Sequence, residues 1–300
     1  MSADEIQRGV EALLREKFAD PALALSPLPN RGTSLAFAAV TGDGRRFFVK
    51  YPDRSERMFA LLESAARTGC RFVAASPFAA PLPFADGFVT CVEWRDLENV
   101  PPERWTDAQL ESFLAAYREF SAALAGTDDI GAREDDEAFR KIIVDYVAGH
   151  PLRRWLLREL LALPPEEYTY AADERFTVTH GDMHSANYGF RGEAFECFLD
   201  LDNILEGNAV EDVAYTFLDR AQRKSTGRAA FARLAAMMSR AAAFFGRPAR
   251  EWRVGVNRKR LRQAASRIKR HPHSIIAALA IRARDLRAVR LLAAAGLSSD

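Results

Sequence analysis

The 300-residue chain has only three cysteines, Cys70, Cys91 and Cys197. They are odd in number, far apart, and never spaced C-x-x-C. That excludes a disulfide framework and a cysteine zinc site, and it reads as a chain of a reducing, cytoplasmic compartment. Net charge is also scarce: 42 Lys and Arg balance 41 Asp and Glu, leaving +1, so bulk charge selects no partner. Long apolar runs are missing. The longest uncharged stretch, "FVAASPFAAPLPFA", has 14 residues and three prolines, too short and too broken to span a bilayer. The opening "MSADEIQRGVEALLREKF" carries early acids and no apolar core, unlike a secretory signal. There is no internal repeat, no low-complexity segment and no G-x-x-x-x-G-K-[ST], which counts against a P-loop fold. What remains is an ordinary globular composition, 48% hydrophobic and 28% charged, with length for one large domain or two lobes.

The pattern of elements changes along the chain. Ser2 is placed to cap a first helix with Ile6, Val10, Leu13, Leu14 and Phe18 at helical spacing. Pro21 to Pro29 reads as a loop. Thr33 to Val40 and Arg45 to Tyr51 read as strands around the turn "TGDG". Arg54 to Arg67 is helical, and after a proline-broken segment Gly87 to Trp94 is a strand. Beyond Pro101 and Pro102 the character turns helical, with Thr106 and Gln109 as a capping box. "EDDEAFRKIIVDYVAGH" and "PLRRWLLRELLAL" read as two further helices. Strand returns at "RFTVTH" and in the pair "NYGF" and "FECFLDL" around the turn "RGEA"; from Glu211 onward almost everything is helix. This order gives an α+β chain in two parts: a small β-rich N-lobe over 1–97 and a large, mainly helical C-lobe over 98–300.

The polar residues concentrate in the β insertion. "HGDMHSAN" is a loop between strands, a setting in which a rigid scaffold aims functional groups. Asp182 suits acceptance of a hydroxyl proton, and Asn187, five positions on, offers a carbonyl oxygen to a hard cation. Asp200 ends the next apolar strand, where its carboxylate would complete an oxygen-rich site. The two histidines four apart suggest a metal pair, but a third ligand at suitable spacing is missing and the segment is not a helix.

Together "HGDMHSAN" and "FLDLDNILEGNAVEDVAY" resemble the aminoglycoside phosphotransferase and choline kinase family, with its H-G-D-x-H-x-x-N loop, an apolar-apolar-Asp step, and D-x-A on a helix. The resemblance implies a two-lobed protein-kinase-like fold using ATP and Mg2+. It makes Asp182 the catalytic base, Asn187 and Asp200 the Mg2+ ligands, and Asp202 a second acidic position reaching the metal through water. His180 and His184 would support the catalytic loop, and Asp212 would hydrogen-bond back to it. Lys50 in "FFVKY" resembles the kinase lysine that meets the α- and β-phosphates; alone, a strand lysine more often sits on a solvated face, and its place in the element order singles it out. Its helix partner is expected to be Glu56, with Glu63 the alternative on the same face. The phosphate-covering loop is where the resemblance thins. No G-x-G-x-x-G occurs, and Gly32, Thr33 and Ser34 stand in its place. The adenine edge is expected against backbone groups of Glu93, Trp94 and Arg95.

Two charge fields bear on the acceptor. Fourteen Lys and Arg face two acids between Arg247 and Arg290, densest in "NRKRLRQAASRIKRHPH", while Asp128 to Glu137 holds six acids and one Arg. A basic helix often only solvates a face. If it is functional, it points to an anionic or sugar-like small-molecule acceptor, such as a phosphorylated or lipopolysaccharide core sugar, or to peripheral contact with a membrane. No aromatic interleaving or known module accompanies it, which counts against nucleic acid. The other readings are a kinase fold without activity that binds or regulates, and a basic surface protein. Nothing in the sequence sets the oligomeric state.

Overall fold

The structure is a computed structural model that describes residues 1–29, 34–53, 56–79, 82–125, 127, 141, 144–145, 164–170, 177–223, 225–270 and 275–298. Helix α1 (Ala3–Phe18) starts at Ser2, whose Oγ accepts the Glu5 N–H while the Glu5 carboxylate accepts the Ser2 N–H. Its buried face, Val10 and Leu14, packs on a five-stranded antiparallel sheet of order β1-β2-β3-β5-β4. The strands are β1 (Ala24–Pro27), β2 (Leu35–Val40), β3 (Arg46–Asp53), β4 (Leu82–Phe84) and β5 (Gly87–Glu93). Side chains alternate across a strand. In β3, Phe47, Val49 and Tyr51 are buried in the α1 side of the sheet, which turns Lys50 to the opposite face. The expected loop over Pro21 to Pro29 contains β1, and the proline-broken segment contains β4. Both are edge strands, where a proline's missing N–H breaks no central ladder.

Helix α2 (Glu56–Thr68) lies between the lobes. Its Leu61, Leu62 and Ala65 join the core of the large lobe rather than that of the sheet, and it packs against the short 3-10 turn Leu201–Asn203. The connection beyond β5 is tied down by Glu98, which exchanges two backbone hydrogen bonds with Phe190 at 2.9 and 3.0 Å. Helix α3 (Asp107–Ala123) carries the Thr106–Gln109 capping box. It buries Phe113, Tyr117 and Phe120 against Tyr188, Phe195 and Phe198 of a hairpin formed by β7 (Tyr188–Arg191) and β8 (Ala194–Phe198). A second two-stranded pair, β6 (Thr177–Thr179) with β9 (Leu205–Gly207), brackets that hairpin in sequence.

The rest of the large lobe is helical: α4 (Ala209–Ala221), α5 (Arg228–Phe245), α6 (Ala249–Arg270) and α7 (Ile275–Ala294), with α4 packed against the other three. The helices expected at "EDDEAFRKIIVDYVAGH" and "PLRRWLLRELLAL" lie almost wholly outside the described residues. The architecture is the α+β, two-lobed one expected, a small antiparallel sheet lobe beside a mainly helical lobe. Among the described residues no helix is long and apolar enough to cross a membrane.

Candidate active site

The segment from His180 to Asn187 leaves β6 and enters β7, and both of its histidines, its Asn and several of its backbone groups are hydrogen-bonded. His180 is fully buried. Its Nε2 lies 2.6 Å from the Leu199 carbonyl and its Nδ1 3.4 Å from the Asp182 N–H, so Nε2 donates, Nδ1 accepts and the ring is neutral. Burial pushes its pKa below the ordinary value, outweighing the nearby Asp212 carboxylate. His184 accepts the Ala186 N–H at Nδ1, and its Nε2 stands 3.5 Å from Asp182 Oδ2. Both rings are therefore engaged in holding the loop. Asn187, also buried, donates from Nδ2 to the Asp182 carbonyl at 2.9 Å, which leaves its side-chain oxygen as its acceptor group. The Asn187 carbonyl accepts the Leu199 N–H at 2.9 Å. Loop and strand end are thus joined one residue before Asp200.

Asp212 anchors the loop from below. It sits in the first turn of α4, capped by Asn208, where the helix terminus favours a negative charge. Its carboxylate accepts the N–H groups of His180 at 2.5 Å and Gly181 at 3.1 Å, and the Tyr117 hydroxyl at 2.9 Å. Gly181 has φ +79°, and a Cβ there would lie 2.0 Å from the Asn203 carbonyl oxygen. Only glycine fits, because both the dihedral and the space exclude a side chain.

The small lobe contributes Lys50. Its Nζ lies 3.2 Å from Asp200 Oδ1 and also contacts Asp202 Oδ2. Burial alone would pull this ammonium's pKa down; the two carboxylates overcome that and raise it. Asp200 adopts a left-handed conformation, φ 53° and ψ 62°, at the start of the Leu201–Asn203 turn. Asp200 and Asp202 are partly open to solvent, at 50% and 34% of their side-chain surface. Glu56 opens α2, but its side chain lies outside the described residues, and Glu63 is exposed. Among the described residues, Lys50 pairs with Asp200 and Asp202.

Of the phosphate-loop residues, Gly32 and Thr33 lie outside the described residues. Ser34 turns its hydroxyl to the Pro52 carbonyl at 3.1 Å. At the end of β5 the Glu93 N–H donates to Ala75 O and the Trp94 N–H to Arg46 O, each at 2.9 Å. Both of these backbone donors, expected from the sequence to meet an adenine edge, are thus engaged within the fold. The Trp94 ring carries the Arg46 guanidinium 4.5 Å above its face and donates to Asp96. The Arg95 guanidinium bonds the carbonyls of Arg71 and Glu196, which makes it a brace of the connection between the lobes.

The first basic residues of the run on α6 are not solvent-facing. Arg258, Lys259 and Arg260 are 1%, 5% and 6% exposed. Arg258 pairs with Glu211 at 3.5 Å, donates to the Tyr168 carbonyl at 3.1 Å and covers the Tyr170 ring. Arg260 pairs with Asp285 at 3.0 Å, and Arg262 with Glu211 at 3.3 Å. Lys259 donates to the Gly181 carbonyl at 2.6 Å and stands 3.8 Å from Asp212. Burial would raise the Glu211 pKa, but the Arg262, Lys259 and Arg258 charges hold it below the usual carboxylate value. Arg258, Lys259, Arg260 and Arg262, the start of the densest stretch, are thus engaged within the fold. An isolated buried charge is too costly to keep, and here each cation answers a carboxylate delivered by α4 or α7. Tyr117 and Lys259 were not singled out from the sequence as part of the site, because neither belongs to a local motif.

The lobes, the hairpin insertion and the lysine crossing between them define a protein-kinase-like fold. Residues 24–253 match the profile of the phosphotransferase enzyme family designated APH, and the chain belongs to that family. Solved structures agree on the fold. A thermostable mutant of the aminoglycoside phosphotransferase APH(4)-Ia, in a ternary complex with AMP-PNP and hygromycin B, is 17% identical with a TM-score of 0.60 over 94% of this chain and 98% of that one. An aminoglycoside phosphotransferase from Alicyclobacillus acidocaldarius is 17% identical with a TM-score of 0.61 over 93% and 92%. An amicoumacin kinase in complex with AMP-PNP, Ca2+ and its antibiotic is 10% identical with a TM-score of 0.59 over 96% of each chain. No protein of curated function matches the chain.

Proposed function

We propose that the protein transfers the γ-phosphate of ATP, with Mg2+, to a hydroxyl group of a small molecule. The observation that carries this reading is the Lys50 ammonium of the small lobe resting on Asp200 and Asp202 of the large one, one residue from the point where the Asp182–Asn187 loop is tied to β8. Family membership and the AMP-PNP held by two of the structural relatives support the nucleotide.

The roles follow from the chemistry of each group. Asp182 would accept the acceptor's hydroxyl proton. The ring N–H of His184 would orient that carboxylate, and His180 and Asp212 would fix its backbone. Lys50 would meet the α- and β-phosphates of ATP as a fixed positive charge. The Asn187 side-chain oxygen with the Asp200 and Asp202 carboxylates would make an all-oxygen donor set of the kind Mg2+ takes. The Lys50 ammonium on both aspartates shows that a positive charge is accommodated there, so the residues fit the ion. When bound, Mg2+ neutralises charge on the phosphates. Gly32, Thr33, Glu56 and the backbone at Arg95 are proposed to complete the nucleotide pocket.

The acceptor is proposed only as a hydroxyl-bearing small molecule. The case for an anionic acceptor or for membrane docking rested on the fourteen Lys and Arg between Arg247 and Arg290, among which Arg258, Lys259, Arg260 and Arg262 form the tightest cluster. The first three are buried and all four pair with carboxylates, so that case is not carried forward. The test is an ADP-release screen with Mg-ATP over sugars, amino alcohols, choline, aminoglycosides and lipopolysaccharide fragments. Turnover with at least one acceptor is expected. No turnover, together with no Mg-dependent thermal shift by ATP, would favour a kinase fold used for binding alone.

A further inference from the structure

We propose that Lys259 is a positioning residue for Asp182; the inference rests on Asp182 being the base. Lys259 lies 77 residues after Asp182, on α6, in a stretch that carries no sequence motif. Its ammonium reaches the Gly181 carbonyl at 2.6 Å. That oxygen belongs to the peptide whose nitrogen is Asp182 N, and the same peptide's N–H faces His180 Nδ1 at 3.4 Å. The preceding peptide is fixed as well, because the Gly181 N–H donates to Asp212 at 3.1 Å. The plane from which the Asp182 side chain departs is therefore held at its oxygen by Lys259 and at its nitrogen by His180. Two fixed points set the orientation of a planar group; one leaves it free to tilt.

The setting of Lys259 suits this role. It is 5% exposed, and a buried ammonium persists only where it is paired and hydrogen-bonded. Its surroundings give it one carbonyl, the Asp212 carboxylate at 3.8 Å and the face of Tyr215 at 4.8 Å. Asp212 takes the loop's N–H groups and Lys259 takes its carbonyl. The oppositely charged pair thus clamps both polarities of the same short backbone stretch, next to a glycine whose φ of +79° would otherwise allow other conformations. Without the clamp at Gly181 O, the Asp182 carboxylate would lose its fixed aim, and a displacement of about 1 Å in a reacting group lowers turnover by roughly 100-fold.

The test uses Lys259→Met and Lys259→Gln in the full chain, with hydrogen exchange of the segment 178–187 and steady-state kinetics on whichever acceptor turns over. Lys259→Met is expected to speed exchange at 180–182, to lower kcat by tenfold or more, and to leave KM for ATP within threefold. Lys259→Gln replaces the ammonium by an uncharged, slightly shorter donor; it is expected to restore protection of the loop and most of kcat. Unchanged loop exchange in Lys259→Met would overturn the proposal. Equal losses of kcat in both variants, with the loop still protected, would also overturn it, since Lys259 would then serve only to neutralise Asp212. Hydrogen exchange needs no acceptor, so the clamp is read even if no turnover is found. In that case the base assignment fails on its own evidence, wild-type turnover and its loss in Asp182→Asn.

Discussion

Lys50 and Asp200 stand 150 positions apart, yet the Lys50 Nζ lies 3.2 Å from Asp200 Oδ1. One residue is fixed by the alternation of a central strand and the other by a left-handed turn after a hairpin. The contact joins the two lobes at the site proposed for the nucleotide phosphates.

Lys50→Met should therefore separate catalysis from folding. Removal of one preorganised charge at a transferring group costs about 100- to 1,000-fold in turnover. The carboxylate partners are substantially exposed, so the melting temperature should move little. ADP release and thermal unfolding of the same preparation check both halves. Turnover within threefold of wild type would remove Lys50 from the site.

Asp212→Asn should behave in the opposite way. The variant keeps the shape but leaves the Lys259 ammonium, 3.8 Å away, without its buried counter-charge. Breaking a buried pair from one side costs about 3–5 kcal/mol. Urea unfolding should show a loss of that order, since one of the two acceptor oxygens facing the loop also becomes a donor. A loss below about 1 kcal/mol would mean that the carboxylate is not the anchor its four contacts describe.

The contrast between Lys50 and Asp212 mirrors what the sequence made legible. Asp182, Asn187 and Asp200 stood out because they lie in short loops between strands, at spacings set by local chemistry. Lys50 stood out by its place in the order of elements. Asp212 was placed through the family pattern, but Lys259 and Arg258 looked like members of a solvated basic face. Their partners, Glu211 and Asp212, lie on a different helix more than 40 residues earlier, and no local periodicity reveals a pairing between helices. The edge strands β1 and β4 were hidden for a related reason. Their prolines read as loop locally, and only the sheet order shows that they sit where proline is tolerated.

Acid should loosen the catalytic loop before it unfolds the lobes through their carboxylates. Burial lowers the His180 pKa in the fold, so in mild acid the unfolded chain binds a proton that the folded chain refuses. This contribution to stability is fully present above the unfolded histidine value of about 6.5. It is lost as pH falls below that value toward the depressed folded one, at up to about 1.4 kcal/mol per pH unit. Thermal unfolding between pH 7.5 and 5 should fall more steeply for wild type than for His180→Gln. Parallel curves would show that His180 is not held neutral.

Arg258 offers a direct check on the buried charge network. Arg258→Met removes a cation that is 1% exposed and leaves Glu211 short of a partner, with an expected loss of about 3–5 kcal/mol. Arg290→Ala, at an exposed position of α7, should change stability by less than about 0.5 kcal/mol. Chemical denaturation of both variants distinguishes a structural run from a solvated one. Equal, small effects would return the run to the surface.

The central claim is that Asp182 is the base of a Mg-dependent phosphoryl transfer. The most direct measurement is ADP release by wild type and Asp182→Asn with Mg-ATP and a productive acceptor, at matched and verified folding. The account predicts a loss of about 100- to 10,000-fold in kcat, with ATP still producing its thermal shift. An Asp182→Asn protein that turns over at the wild-type rate would contradict it.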